Sequence, residues 1–258
     1  MNRQILITVL LFVMMGCRQP ESINCNLIFI GDSISEGIGV ENPMEESAPA
    51  VAGNLMKESG NVRFANCGKN GATTVDFLPE TRRHYLSVIA AADTLYSTNV
   101  PLVFSIMIGT NDSAETGPAG APVSPDAYER NLTIIIDSLH ERYPNSLFVL
   151  HRPIWYSPNT HNGSVYMEAG LKRLQSYTPM LEQIVGKRKY VFFGDKDAYA
   201  FFEKNYEQCV NPENGVEGIF YLHPNKEGAG RLGAFWAESL KKDLCKSVSY
   251  THLRAHET

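Results

Sequence analysis

Short apolar runs alternate with longer amphipathic ones along almost the whole chain, and no other feature restricts the fold as tightly. The short runs fall at 27–30, 62–65, 102–108, 147–150 and 190–193. Several lack a polar residue at every second position, as expected of parallel strands covered on both faces. Helical spacing fills the intervals. One segment covers 48–58 and ends at Ser59-Gly60, and a second covers about 75–92, with Pro79 near its start or at a break. A third follows Ser124-Pro125 and carries Leu132, Ile135, Ile136 and Leu139; a fourth covers about 165–185, and the last about 226–243, after Pro224. Ser before Pro is a strong helix start, because the hydroxyl caps a free N–H and proline needs none. This order predicts an α/β three-layer sandwich with a mostly parallel five-stranded sheet, built as a single domain over 18–246. Right-handed crossovers then bring the carboxyl ends of all strands to one edge.

The two ends of the chain read differently. Arg3, an uncharged apolar run from Ile5 to Met15, and then Gly16-Cys17 form the pattern of a secretory signal over 1–17. The run is too short to span a bilayer, which takes about 20 residues. Gly16-Cys17 resembles a bacterial lipobox, so the expectation is an exported protein, periplasmic or at the cell surface, anchored through lipid on Cys17 and touching the membrane only there. The segment 247–258, SVSYTHLRAHET, has no periodicity and is expected to be unstructured or artefactual. The chain carries 23 Lys and Arg against 28 Asp and Glu without a basic run, which argues against nucleic acid as a partner. Oxidation after export leaves three pairings open for Cys25, Cys67, Cys209 and Cys245. Their spacing shows no metal-binding pattern, and no metal or cofactor is expected.

Four segments carry residue types suited to acyl transfer. Gly31-Asp32-Ser33 puts a Ser on a strand-to-helix turn, and Asn66-Cys67-Gly68-Lys69-Asn70-Gly71-Ala72-Thr73-Thr74 is a glycine-bearing loop after the second strand. Gly109-Thr110-Asn111-Asp112 follows the third strand, and Leu222-His223-Pro224-Asn225 precedes the last helix. Taken singly each is an ordinary turn. Their order, on segments that the topology brings to one edge, favours a joint role.

Together they resemble blocks I, II, III and V of the SGNH (GDSL-type) hydrolases, over nearly all of the chain from Asn26 to about Leu240. The resemblance implies the flavodoxin-like fold of that family, no cofactor, and a serine esterase. Ser33 is then the nucleophile and His223 its base. The oxyanion hole is formed by the N–H groups of Ser33 and Gly71 and the side-chain amide of Asn111. Asp32 and Asp112 are implied to stabilise their turns.

One position departs from the family. The Asp expected three residues before the His is Phe220. Three readings stay open: another acid takes its place, with Glu217, Asp195 and Asp197 as candidates; a backbone carbonyl orients the imidazole; or the protein is a weakly active or inactive relative that binds glycans. For the substrate, Arg152, Trp155 and Tyr156 follow the fourth strand as possible rim residues for a sugar, and they fit core or rim positions equally. Exported relatives with deacetylase activity make carbohydrate O-acetyl esters the first expectation, with lysophospholipase or thioesterase chemistry as the alternative.

Overall fold

The computed structural model describes residues 22–161 and 163–255, with backbone alone at 161 and 245–255. The signal-like run and Cys17 lie outside the described residues.

The five apolar runs form one all-parallel sheet. Strand β1 (Ile23–Gly31) is flanked by β2 (Gly60–Asn66) and β3 (Leu102–Met107), followed outward by β4 (Leu147–Leu150) and a fifth sheet strand (Val191–Phe193). Every residue of β3 is buried, which is why it reads as an unbroken apolar run. The fold class anticipated from the sequence is the one observed.

Helices α1 (Ser33–Glu36), α2 (Pro43–Glu46) and α3 (Ala48–Lys57) connect β1 to β2. Helix α4 (Tyr85–Leu95) leads into β3, and α5 (Pro125–Arg142) leads into β4. A two-stranded flap, β5 (Thr160–His161) and β6 (Ser164–Val165), precedes α6 (Met167–Lys187) and the fifth sheet strand, which is β7. Helix α7 (Ala198–Cys209), an antiparallel hairpin of β8 (Val210–Gly215) and β9 (Gly218–Pro224), and α8 (Lys226–Ala255) complete the chain.

Helices α3, α7 and α8 group on one face and α4, α5 and α6 on the other. The α8 indole of Trp236 stacks on Phe29 of β1 with centroids 6.0 Å apart, so the apolar stripe of the last helix is seated directly on that strand. Burying a large aromatic ring contributes about 1.5–3 kcal/mol relative to leaving it in water.

The sequence expectation is shifted in three places. The segment read as one helix over 75–92 is a 3-10 turn (Thr74–Phe77) and then α4, with Pro79 in the break between them. Helix α7 and the β8–β9 hairpin have no counterpart in the sequence reading. The backbone of the last helix continues to Ala255, through most of the 247–258 segment expected to lack structure. Of the four cysteines whose pairing the sequence left open, Cys25, Cys67 and Cys209 are buried free thiols and the Cys245 side chain lies outside the described residues. Burial pushes Cys25 up to about 12 and Cys67 up to about 11. Among the described residues no helix is long and apolar enough to cross a membrane, and no cluster of His, Cys, Asp and Glu is arranged to hold a metal ion.

Candidate active site

Three neighbouring strands deliver three of the four segments. The turn after β1 begins with Asp32, whose Oδ1 accepts the Ile34 N–H at 3.0 Å and so caps α1. Ser33 is the first residue of that helix, a position whose N–H has no partner within the helix. Burial pushes the Asp32 carboxyl up to about 6, against the pull of that hydrogen bond.

The loop after β2 is tied to the same turn. Asn66 Nδ2 donates to the Ser35 carbonyl at 2.7 Å, and the Lys69 N–H donates to the Gly31 carbonyl at 3.0 Å. Gly71 sits at φ +72° with open space where a side chain would point. This left-handed geometry is costly for other residues, so glycine is required here by conformation and not by crowding. After β3, Asp112 is buried and accepts from both the N–H and the hydroxyl of Thr74, which fastens the third segment to the second. Its carboxyl is pushed up to about 7, chiefly by burial. Asp32 and Asp112 thus hold turns together within the protein.

Asn111 is held at both ends of its amide. Nδ2 donates to the Ala72 carbonyl at 2.9 Å, and Oδ1 accepts from the Tyr166 hydroxyl at 2.9 Å. One amide hydrogen is left over.

The fourth segment comes from the hairpin and not from the sheet. His223, on β9, places Nε2 2.9 Å from Ser33 Oγ. Its Nδ1 lies 2.8 Å from Glu213 Oε1, and the same oxygen accepts the His223 main-chain N–H at 3.3 Å. A carboxylate only accepts, so the proton sits on Nδ1 and leaves Nε2 to take one from the serine. Asn211 clamps the hairpin to the segment after α1 by donating to the Gly39 carbonyl at 2.9 Å. Gly39 permits the close approach: a side chain there would lie 2.5 Å from the Pro224 carbonyl and 3.1 Å from His223 Cβ.

The acid facing the histidine is therefore none of the three candidates named from the sequence. Glu217 is exposed in the hairpin turn, where its N–H donates to Asn159 Oδ1. Asp195 caps α7 by accepting the N–H groups of Asp197 and Ala198, and Asp197 is exposed at the start of that helix. Both follow β7, three strand spacings from β1, about 14 Å at 4.8 Å per strand. Glu213 pairs with Phe220 across the hairpin ladder. The carboxylate thus stands directly opposite the position where the family carries its acid. Glycines 215 and 218 around a two-residue turn were the available signal, since a hairpin centred there aligns 213 with 220.

The aromatic rim is also revised. Tyr156 is fully buried, with its hydroxyl 2.8 Å from Ser113 Oγ. Trp155 is buried against Tyr206. Arg152 lies over the Tyr199 ring at 3.8 Å, on the α7 side. Their contacts are to the core and to neighbouring elements. His151, beside them, accepts the Asp195 N–H on Nδ1 and contacts Ser105 Oγ through Nε2 at 2.9 Å. Burial pushes it down to about 3, which marks it as a neutral structural histidine.

Solved structures share this architecture at low sequence identity. The chain resembles Est24, a carbohydrate acetylesterase from Sinorhizobium meliloti, at TM-score 0.60 and 17% identity over 84% of this chain and 98% of that one. It resembles a catalytic mutant of Axe2, an acetylxylan esterase from Geobacillus stearothermophilus, at 0.56 and 18% over 88% and 96%. The corresponding figures for a lipase/acylhydrolase from Enterococcus faecalis are 0.55, 16%, 85% and 96%. No curated protein matches the sequence. The profile of the GDSL-like lipase/acylhydrolase family matches residues 29–231, spanning all four segments; the chain belongs to that family of carboxylic ester hydrolases.

Proposed function

We propose that the protein is a serine esterase that removes small acyl groups, O-acetyl groups on carbohydrates first among them. The observation that carries the reading is the continuous line from Ser33 Oγ to His223 Nε2 at 2.9 Å and from Nδ1 to Glu213 at 2.8 Å. Ser33 Oγ attacks the ester carbonyl while His223 Nε2 takes its proton. The tetrahedral oxyanion accepts from the N–H groups of Ser33 and Gly71 and from the remaining hydrogen of Asn111 Nδ2. Collapse expels the alcohol, protonated by His223, and leaves an acyl-Ser33 that water hydrolyses by the same steps in reverse. Glu213 stabilises the imidazolium formed in both halves.

The acetyl preference draws support from the fold shared with Est24 and Axe2, whose names give acetylated carbohydrates as substrates. Export and lipid attachment at Cys17 rest on the sequence pattern alone; radiolabelled palmitate incorporated by the wild type and lost in Cys17→Ala is the expected result. For the activity, wild type and Ser33→Ala are compared on p-nitrophenyl acetate, p-nitrophenyl octanoate and acetylated xylan. The reading requires turnover that favours acetyl over octanoyl and is lost in Ser33→Ala. Equal turnover by Ser33→Ala, or a preference for octanoate, refutes it.

A further inference from the structure

We propose that Tyr166 is the positioning residue of the oxyanion hole and that Phe220 is the support on which it rests. The inference builds on the reading of Asn111 as an oxyanion donor and assigns roles to two side chains outside the four family segments.

Asn111 needs its free amide hydrogen aimed at the oxyanion, and a side-chain amide on a turn rotates unless both ends are held. Ala72 holds the nitrogen end and the Tyr166 hydroxyl holds the oxygen end, each at 2.9 Å. A donor on Oδ1 also polarises the amide and strengthens its remaining N–H as a donor. Tyr166 is buried, and its ring rests at 5.6 Å on Phe220 and at 5.2 Å, edge-on, against Tyr156.

The surrounding backbone is fixed to the same end. Met167, the next residue, takes φ +50°. Left-handed geometry in a non-glycine persists only where neighbours enforce it, and here the Met167 N–H is held by the Asn159 carbonyl at 3.1 Å. Asn159 in turn donates to the Gly218 and Ile219 carbonyls of the hairpin. On the other side, Arg173 of α6 donates to the Ser113 carbonyl at 2.6 Å and pairs with Glu115 at 2.7 Å. The flap, the hairpin and the loop carrying Asn111 are thereby locked together around one phenol.

The test is a double-mutant cycle of Tyr166→Phe and Asn111→Ala on p-nitrophenyl acetate, with melting curves recorded for each protein. Tyr166→Phe keeps the ring and removes only the hydroxyl, and is expected to lower kcat about tenfold, the scale of one lost hydrogen bond, with KM within about twofold. Asn111→Ala is expected to lose about a hundred- to a thousandfold, and adding Tyr166→Phe to it to cost nothing more. Phe220→Leu is expected to lower kcat several-fold in the wild-type background and to leave the Asn111→Ala protein unchanged. If Tyr166→Phe keeps wild-type kcat while Asn111→Ala loses activity, the proposal is overturned and the oxyanion reading stands. An equal tenfold loss in both backgrounds overturns it too, since Tyr166 then acts through the fold. If Asn111→Ala itself keeps wild-type kcat, the oxyanion reading falls and takes the proposal with it.

Discussion

Replacing Glu213 tests the acid–base arrangement most directly, because the geometry sets the size of the effect. On the proposed mechanism His223 is an imidazolium in the transition state; its Nδ1 lies 2.8 Å from the Glu213 oxygen, which puts the two charge centres about 4 Å apart. At an effective dielectric of about 20 their attraction is about 4 kcal/mol, or about a thousandfold in rate. The Glu213 side chain is 20% exposed, so water shares in screening it. The loss should therefore fall below the roughly ten-thousandfold cost of removing a fully buried triad acid. Glu213→Gln keeps an acceptor and loses the charge, and is expected to lower kcat on p-nitrophenyl acetate by about a hundred- to a thousandfold. Glu213→Ala also frees the imidazole to rotate and should lose about a thousandfold or more. The same exposure lets a small carboxylate enter, so added formate should restore part of the Glu213→Ala activity. Fluorophosphonate labelling of Ser33 should slow in parallel, because it depends on the same base. The reasoning is refuted if both variants turn over within threefold of wild type with unchanged melting temperatures; a backbone carbonyl would then be orienting the histidine.

Gly71→Ala meets no steric obstacle but must hold φ +72°. It should destabilise by about 1–2 kcal/mol and lower kcat about ten- to a hundredfold by turning the N–H away, with unchanged kcat refuting that role. His151 binds no proton in the fold until about pH 3, whereas the unfolded chain binds one below about 6.5. Its stabilising contribution is complete above pH 6.5 and is lost as pH falls toward 3, by up to about 5 kcal/mol. Urea unfolding at several pH values should therefore show a shallower acid loss for His151→Gln than for wild type, and parallel curves would sink the argument. Phe220→Asp, which restores the family residue, should destabilise by about 3–5 kcal/mol and not raise kcat, because the position is fully buried against Tyr156 and Tyr166. A faster enzyme of normal stability would contradict the relocation of the acid.

The sheet was legible because its strands are buried on both faces, and a buried parallel strand leaves an unbroken apolar run such as Leu102–Met107. The Ser33, Gly71 and Asn111 loops were legible for a related reason. Each follows a strand at once, so the apolar runs locate it, although the loops are fastened to one another by long-range bonds such as Thr74 N–H to Asp112. Tyr156 stayed open between core and rim because its partner, Ser113, is distant in sequence and an aromatic after a strand fits both positions. Helix α7 was obscured by its kink at Asn205 and its dense aromatics. Strand β8, with Pro212, Asn214 and Gly215, has little of the composition that marks strands. With the hairpin hidden, Glu213 was hidden too, since only cross-strand register brings it to His223.

That register also explains why the relocated acid is a glutamate. An aspartate three residues before the histidine reaches it along a single strand. From the paired position on β8 the carboxylate must cross the ladder, about 4.8 Å between strands. Glu213 Oε1 ends 2.8 Å from His223 Nδ1, a reach to which the additional methylene of glutamate contributes. The exchange leaves position 220 free for an aromatic ring, and Phe220 uses it to carry Tyr166. Acid and aromatic thus face each other across one ladder pair. Glu213→Asp isolates the point: the charge is kept while the reach shrinks by one methylene, about 1.5 Å. An oxygen 2.8 Å from Nδ1 then withdraws beyond hydrogen-bond range. Turnover should fall close to that of Glu213→Gln, and near-wild-type activity would show that reach across the hairpin is not what selected the residue.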